Sequence, residues 1–184
     1  MNAKRCNWAV RPAIMTDYHD NEWGKPVKDE QKLFEFLSLE GAQAGLSWLT
    51  ILKRREGYRS VFHDFNIERV AELDVDAIQL LLQNQAIIRN KLKIKSVINN
   101  ARMWLKISSN TSMVDQLWQF VDGVPIKNNF QAMSDVPATT KISDAMSKWL
   151  KSKGFSFVGS TICYAFMQAT GMVNDHLTTC YLYH

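Results

Sequence analysis

Residues 29–45 read DEQKLFEFLSLEGAQAG and carry the clearest fold signal in the chain. Asp29 is a suitable N-cap, because a short carboxylate side chain accepts hydrogen bonds from the first free amides of a helix. Gly41 and Gly45 loosen the far end of the segment. The segment therefore predicts a helix with a buried apolar face, whose defining positions are Leu33, Phe34 and Leu37.

The same helical spacing of apolar residues recurs along most of the chain. Only 8 glycines and 4 prolines are present, too few turn residues for a many-stranded sheet, so an all-α fold is predicted. Residues 1–28 are expected to form an irregular aromatic arm, and residues 125–137 a polar connection. Further helices are expected at 47–62 with Lys53, Arg54 and Arg55 facing outward, after Asn66, after Asp74, and near 94–105, 112–121, 142–150 and 162–169. Ser47 is the expected N-cap of the first of these helices, and Lys153-Gly154 is the expected stop between the last two.

Charge and cysteine content limit the functional classes only broadly. Lys and Arg total 22 against 18 Asp and Glu, a net charge of +4, which permits a polyanionic partner without proving one. Three cysteines and no secretory signal indicate a reducing compartment, so we expect a cytoplasmic protein. No stretch approaches the length of a membrane span.

Two cysteines and two histidines near the chain ends form a candidate metal site. His176 and Cys180 are four residues apart, on one face of a helical turn, and Cys6 and His19 lie near the other end. Two thiolates and two imidazoles suit tetrahedral Zn²⁺. On the pattern alone, two free thiols and two ordinary histidines are the alternative interpretation, because the interval from Cys6 to His19 is not that of a zinc finger. Cys163 lies on an apolar helix face and is expected in the core.

An acidic residue among aromatic ones forms a second candidate site. Glu40 ends the first apolar helix and is followed by Trp48. If the N-terminal arm folds back, Trp8, Tyr18 and Trp23 join them around the carboxylate. Aromatic walls with one anion suit a flat cationic ligand, through cation–π attraction and a charge-assisted hydrogen bond. The alternative is ordinary core packing, which tryptophan favours for its large apolar area.

A basic turn forms a third candidate site. Residues 87–91 read IIRNK between two helical patterns, and Lys91, Lys93 and Lys95 follow in the next helix. Backbone amides at a helix N-terminus, helped by the helix dipole, can hold a DNA phosphate. The alternative is a solvated, lysine-rich helix start.

Several long strings of the sequence resemble the 3-methyladenine DNA glycosylase I family, constitutive type. The resemblance runs in the same order from Cys6 to about Cys180, and so covers almost the whole chain. The strings are CNW (6–8), YHDNEWG (18–24), LEGAQAGLSW (39–48), KRREGYR (53–59), FVGSTICYAFMQATGMVNDH (157–176) and HLTTC (176–180).

The resemblance implies a fold of the helix-hairpin-helix glycosylase superfamily in a single unit, 1–184. A small zinc-binding lobe would be built from residues 1–28 and 170–184, on a helical body, 29–169, with its hairpin at about 86–93. One structural Zn²⁺ would be held by four ligands with no open position, namely Cys6, His19, His176 and Cys180.

The resemblance also implies roles for the other two candidate sites. Glu40, as the central catalytic residue, and Tyr18 would contact the polar edge of the extruded base, while the indoles of Trp8 and Trp48, with Trp23 close by, enclose its ring. Gly45 and Leu46 would fill the gap left in the duplex, and the hairpin residues that would grip backbone phosphates are Ile88, Arg89, Asn90 and Lys91.

The chain departs from the family pattern in the hairpin. Ala86 and Leu92 stand where family members tend to have glycine, which puts the backbone donors to phosphate in doubt. No equivalent is found of the aspartate that many helix-hairpin-helix glycosylases place after the hairpin, and its absence is typical of this family.

The function implied is monofunctional hydrolysis of the N-glycosidic bond of 3-methyladenine in alkylated double-stranded DNA by a monomer, with release of the free base. The competing interpretation is a zinc-stapled DNA-binding damage sensor without excision activity. Intact Glu40, Tyr18 and Trp48 argue against that sensor, because a decayed enzyme loses its pocket residues first. A pure protein-interaction domain leaves Glu40 and the hairpin unexplained.

Overall fold

The computed structural model describes residues 4–184, and most of this part of the chain is helical. The predicted all-α class is confirmed: the two strands described, β1 (Ile126–Lys127) and β2 (Val173–Asn174), form one short parallel pair. The helices are α1 (Ala13–Asn21), α2 (Glu30–Gln43), α3 (Trp48–Leu52), α4 (Arg55–Val61), α5 (Ile67–Ala71), α6 (Val75–Gln83), α7 (Lys91–Ser108), α8 (Met113–Trp118), α9 (Lys141–Ser152) and α10 (Ser160–Ala169). Short 3₁₀ turns lie at Asn7–Ala9, His63–Phe65, Gln119–Val121 and Met133–Asp135.

Short polar side chains start most of the helices, as the sequence predicts. Asp29 accepts a hydrogen bond from the Lys32 amide at 2.8 Å, and Ser47 accepts one from the Thr50 amide at 3.2 Å. Each bond satisfies an amide that has no partner within its helix. The predicted stop after α9 is also present, since Gly154 takes a φ of +90° that other residues rarely adopt.

Two parts of the sequence interpretation are wrong in detail. The arm predicted over residues 1–28 contains helix α1, which begins after Pro12 and keeps Ile14 partly exposed, so it lacks the apolar stripe that reveals a helix. The single helix expected over 47–62 is broken at Arg54, where φ and ψ are −109° and 0°. Arg55, expected on the outer face, is buried because it pairs with Glu35 of α2 at 2.7 Å.

Helix α2 lies in the middle of the hydrophobic core. All residues from Leu33 to Ala42 are buried, which is typical of a helix covered on every side. Helices α7 and α10 pack directly on it. Cys163 of α10 is fully buried, as expected, and burial raises the pKa of its thiol to about 12. Because α2 is held on all sides, Glu40 near its end has a fixed position inside the protein.

The two chain ends meet on one side of the molecule. The Gly24 amide donates to the Gln168 carbonyl at 3.1 Å, and the Tyr181 amide donates to the Lys4 carbonyl at 2.9 Å. The contact is close, since a Cβ on Gly171 would lie 2.3 Å from the Lys25 carbonyl carbon. The boundaries proposed at 28/29 and 169/170 stay a prediction.

Membrane insertion has no candidate helix in the described part of the chain. Across residues 4–184, no helix combines the length and the apolar character needed to cross a bilayer.

Candidate active site and metal cluster

A pocket of about 250 Å³ opens between the N-terminal segment, the end of α2 and helix α10. Sites for drug-sized ligands measure about 300–1,000 Å³, so this one suits a single small ring system. The residues that line it are Trp8, Met15, Tyr18, Trp23, Glu40, Gln43, Trp48, Met133, Val136, Ala165, Gln168 and Asp175. All five residues predicted for the second candidate site are therefore brought together here.

Glu40 is the least satisfied polar group of the pocket. It is only 4% exposed, and its Oε2 atom has no hydrogen-bond partner among residues 4–184. Burial raises the pKa of its carboxyl group to about 8, since a charge is costly to remove from water. A buried carboxyl group with no partner in a concave site is ready for a ligand that supplies one.

Aromatic rings surround this carboxyl group. The ring centroids of Tyr18 and Trp48 are 5.3 Å apart, those of Trp8 and Tyr18 6.3 Å, and those of Trp8 and Trp23 5.0 Å. Burial, with Glu40 as a second cause, raises the pKa of Tyr18 well above its usual value, so the phenol stays a neutral donor. The Trp48 Nε1 atom is buried with no acceptor in the part of the chain that the structure describes, which gives the pocket a second unsatisfied polar atom.

Asp175 is a second pocket carboxylate, which the sequence interpretation missed. Its Oδ2 atom accepts hydrogen bonds from Tyr164 Oη at 2.6 Å and Gln168 Nε2 at 2.7 Å, and Oδ1 accepts one from Asn128 Nδ2 at 2.6 Å. Unlike Glu40, both of its oxygens are satisfied by neutral donors. Its place directly before the candidate ligand His176 was the available signal. Met133 and Val136, from the polar connection at 125–137, were missed as well.

The four predicted metal ligands converge in one buried cluster. Their ligand atoms all lie within 4.8 Å of one another. Cys180 Sγ is 3.5 Å from His19 Nε2 and 3.6 Å from His176 Nδ1, while Cys6 Sγ is 3.8 Å from His176 Nδ1. With bonds of about 2.3 Å to sulfur and 2.0–2.1 Å to nitrogen, the S···N edge of a zinc tetrahedron is roughly 3.5 Å. The cluster therefore fits a tetrahedral zinc ion.

The second nitrogen of each histidine is also held. His19 Nδ1 lies 2.8 Å from Asp20 Oδ1, and His176 Nε2 lies 3.3 Å from the Trp23 carbonyl oxygen. Such partners orient an imidazole and fix which nitrogen faces a metal. Asp20 in turn accepts hydrogen bonds from Arg5 at 2.7–2.9 Å.

The metal cluster and the pocket share a wall. The Trp23 ring lies 4.7 Å from the His176 ring, edge to face, and 6.2 Å from the His19 ring, stacked. A Cβ on Gly24 would lie 2.9 Å from His176 Nε2, so only glycine allows this approach. The position of the pocket indole Trp23 therefore depends on both imidazole rings being held in place.

The hairpin between α6 and α7 is exposed at its tip. Arg89, Asn90 and Lys91 are exposed, and Ile88 is half-buried. The Ile88 amide donates to Tyr58 Oη at 3.3 Å, and the Asn90 amide donates to the Ile88 carbonyl at 2.8 Å. The Arg89 and Lys91 amides, by contrast, have no protein acceptor within residues 4–184.

Neither hairpin position that lacks the expected glycine is strained. No residue from Asn84 to Lys93 has a positive φ, so the turn does not need glycine at Ala86 or Leu92. Room for Ala86 is left by Gly57 of α4, where a Cβ would come within 2.7 Å of the Ala86 Cβ. Leu92 is 67% exposed.

One lysine of the basic turn does not face solvent. Lys93 is 8% exposed, in contrast to the exposed Lys91 and Lys95, because its ammonium group reaches the end of α2. The alternative of a solvated, lysine-rich helix start therefore does not hold for Lys93. Gly45 and Leu46, predicted to enter the duplex, are exposed at that same end of α2.

Comparison with known proteins gives the same result from sequence and from structure. Residues 8–184 match the model of a family described as methyladenine glycosylase. DNA-3-methyladenine glycosylase 1 of Escherichia coli is 48% identical over 181 residues, 98% of this chain and 97% of the relative.

Two solved structures extend the comparison. A crystal structure of 3-methyladenine DNA glycosylase I superposes with a TM-score of 0.96 at 49% identity, covering 97% of this chain and 99% of the other. The 3-methyladenine DNA glycosylase I of Staphylococcus aureus, described for its recognition of 3-methyladenine, superposes with a TM-score of 0.92 at 35% identity, covering 96% and 95%.

Proposed function

This chain belongs to the methyladenine glycosylase family and is a DNA glycosylase, and from that premise we propose that it excises 3-methyladenine from alkylated double-stranded DNA. The damaged nucleotide would leave the duplex and enter the pocket beside Glu40, because a base inside the stack is out of reach of an enzyme. The relatives' names support the substrate, and the unpartnered carboxyl group of Glu40 supports the site.

The single observation that carries the proposal is the buried Glu40 Oε2 atom without a partner. Methylation at N3 leaves adenine in DNA with a positive charge. That charge favours the ionised carboxylate, so binding draws the proton from Glu40, and the resulting pair is worth more inside the pocket than in water. Normal adenine is uncharged and gains neither this pairing nor cation–π attraction to the indoles.

The chemical step needs little more than this binding. The bond between the base and C1′ of deoxyribose breaks, its electron pair stays with the base, and the base leaves neutral as free 3-methyladenine. Water adds to C1′ and loses a proton to solvent. Glu40 stabilises the positive charge as it passes from the base to the sugar while the bond stretches, and Tyr18 donates to the polar edge of the base.

The DNA would be held by the hairpin and by the turn after α2. The unpaired amides of Arg89 and Lys91 are the proposed donors to a backbone phosphate, beside the side chains of Ile88 and Asn90. Gly45 and Leu46 are proposed to occupy the gap that the extruded nucleotide leaves. A monomer suffices for this arrangement, and a cytoplasmic location stays a prediction.

We also propose that one Zn²⁺ occupies the cluster of Cys6, His19, His176 and Cys180. When bound, the ion would link the two chain ends and take no part in the chemical step, because all four positions are filled by protein ligands. Elemental analysis of the purified protein should find one zinc per chain. Cys180→Ser should lower that content and the thermal midpoint together, and a metal-free wild-type protein of full stability would contradict the assignment.

The excision proposal is tested by product analysis. Duplex DNA carrying a labelled methyl group on adenine N3 is incubated with the protein, and the supernatant is separated by chromatography. Free 3-methyladenine is expected at a rate proportional to enzyme, with no release of normal adenine. Tight binding to alkylated DNA without any free base would instead support the damage-sensor interpretation.

A further inference from the structure

Lys93 makes an internal contact that the functions assigned above do not use. Its Nζ atom donates to the Ala42 carbonyl at 2.8 Å and to the Ala44 carbonyl at 2.6 Å. It forms no ion pair with any acidic residue in the described chain. The ammonium group thus caps the carboxyl end of α2, where unpaired carbonyls and the helix dipole favour a cation.

The segment that Lys93 holds has the geometry of a type II turn. Ala44 has φ and ψ of −42° and 116°, Gly45 has a φ of +76°, and the Leu46 amide donates to the Gln43 carbonyl at 2.6 Å. Glycine suits the third position of this turn because φ is positive there. Types I and II differ by a flip of the central peptide, whose oxygen here is that of Ala44.

The contact with the Ala44 carbonyl therefore selects between the two turns. With its oxygen bound to the Lys93 ammonium, the central peptide is held in the type II orientation, and Leu46 leaves the turn in a fixed direction. Without the ammonium, two inward-facing carbonyls lose their donor and the flip costs less. The direction of the exposed Leu46 side chain, 39% accessible, depends on this one interaction.

Lys93 also connects two surfaces that must act together. It is the third residue of α7, and its amide is capped by Asn90 Oδ1 at 3.1 Å, so its backbone belongs to the hairpin. Its side chain ends on the turn that follows Glu40 by four residues. We propose that Lys93 is a positioning residue, which keeps the phosphate-binding hairpin and the Gly45–Leu46 turn at one fixed spacing; this inference rests on the proposed function.

The proposal gives Lys93 a different role from that of its exposed neighbours, and the two roles have different effects on DNA binding. A lysine that contacts phosphate contributes to the salt dependence of DNA binding, with a slope of about −0.9 for each phosphate neutralised. An internal clamp contributes nothing to that slope, because it releases no counterion. Its loss should instead misplace the turn, and small displacements at such sites cost about tenfold to a hundredfold in rate.

The test compares Lys93→Met with Lys91→Met and with Lys106→Met, an exposed lysine far along the same helix. Three quantities are measured: kcat/KM on duplex DNA containing 3-methyladenine, affinity for free 3-methyladenine, and the salt slope of duplex binding. Lys93→Met is expected to lose about tenfold or more in kcat/KM, with free-base affinity and salt slope unchanged. Lys91→Met removes the exposed ammonium group beside the phosphate-binding amides and should reduce the slope by about 0.9, whereas Lys106→Met should match wild type.

Three results would overturn the proposal: a wild-type kcat/KM for Lys93→Met, a salt slope reduced as in Lys91→Met, or an equal loss of free-base affinity. If Lys93→Met does not fold, Gly45→Ala disturbs the same peptide from the solvent side, where a Cβ meets nothing within 4 Å. It should show the same pattern, and a wild-type rate would overturn the proposal. The kcat/KM of the wild-type protein tests the proposed excision activity separately. If the wild-type protein excises no base, the salt dependence of duplex binding can still be measured for every variant.

Discussion

Helix α2 carries two buried glutamates whose surroundings are opposite. Glu35 accepts from Arg55 at 2.7 Å, from Arg59 at 2.9 Å and from Lys32 at 2.9 Å. Burial alone would raise the pKa of Glu35, but these three cations lower it to about 2. Glu40 has no such partner within residues 4–184, and burial raises its pKa to about 8.

The contrast separates a carboxylate that is paired within the fold from one that, under the proposed function, is left for a ligand. Both side chains are about equally buried, 5% and 4% exposed, so burial does not distinguish them. Their hydrogen-bond partners distinguish them. The charge of Glu35 is already balanced inside the protein, whereas that of Glu40 is balanced only when a cation enters the pocket. The Cys/His cluster and the pocket differ in the same way: within residues 4–184, His19 and His176 each have a further hydrogen-bond partner, whereas the Trp48 Nε1 atom has none.

The largest effect on stability is expected when the ion pairs of Glu35 are broken. Glu35→Gln leaves the buried Arg55 with one acid, Glu22 at 2.8 Å, and should lower the free energy of unfolding by about 3–5 kcal/mol. Glu56→Gln is the matched control, because Glu56 pairs with the same Arg59 but is 83% exposed. Urea denaturation should show a loss below about 1 kcal/mol for the control. Equal small losses for both variants would mean that Glu35 is not a structural charge.

Removing the unbalanced carboxyl group should have the opposite effect on stability. A raised pKa means that the folded protein keeps a proton which the unfolded chain releases, so wild-type stability falls as pH rises from about 4.5 to about 8. The fall amounts to about 1.4 kcal/mol per pH unit and then levels off. Glu40→Gln cannot lose this proton, so its unfolding free energy should rise relative to wild type across that range. If the unfolding free energies of wild type and Glu40→Gln changed with pH in parallel, the raised pKa of the buried Glu40 carboxyl group would be contradicted.

The same substitution should reduce activity. Glu40→Gln keeps the shape of the side chain but cannot become an anion, so kcat/KM on duplex DNA containing 3-methyladenine should fall by about a hundredfold or more. Wild-type kcat/KM should rise with pH and level off near the pKa of about 8, and the variant should lack this rise. Zinc content and helicity should not change. A wild-type rate in the variant would remove Glu40 from the mechanism.

Local chemistry explains what the sequence could predict in the fold. The N-caps at Asp29 and Ser47 and the stop at Gly154 depend on neighbouring residues, and the structure confirms them. The break at Arg54 was missed because it follows from the long-range pairing of Arg55 with Glu35. Helix α1 was missed because it is short and its outer face is exposed, so its pattern lacks an apolar stripe.

The candidate site could likewise be predicted only in part from the sequence. Cys6 and Cys180 come together across 174 positions, which the resemblance implied and local spacing did not. Periodicity gave no sign that Lys93 turns inward or that Asp175 joins the pocket wall. Both depend on which element lies opposite, α2 for Lys93 and α10 for Asp175, and that is a property of packing.

The smallest effect concerns the other unsatisfied atom of the pocket. Trp48→Phe keeps an aromatic face beside Tyr18 but removes Nε1, which has no acceptor in the described part of the chain. If that atom donates to the base, affinity for free 3-methyladenine should fall about two- to tenfold, the worth of one neutral hydrogen bond. Stability should not fall correspondingly, because a buried atom without a partner contributes nothing to the fold. Trp149→Phe is the control: this indole packs on Phe120 at 5.8 Å, away from the pocket, and titration calorimetry should show wild-type affinity. If Trp48→Phe binds the base with unchanged affinity, Trp48 Nε1 has no role in binding. Of the two unsatisfied pocket atoms, Glu40 Oε2 would then be the one that contributes to binding.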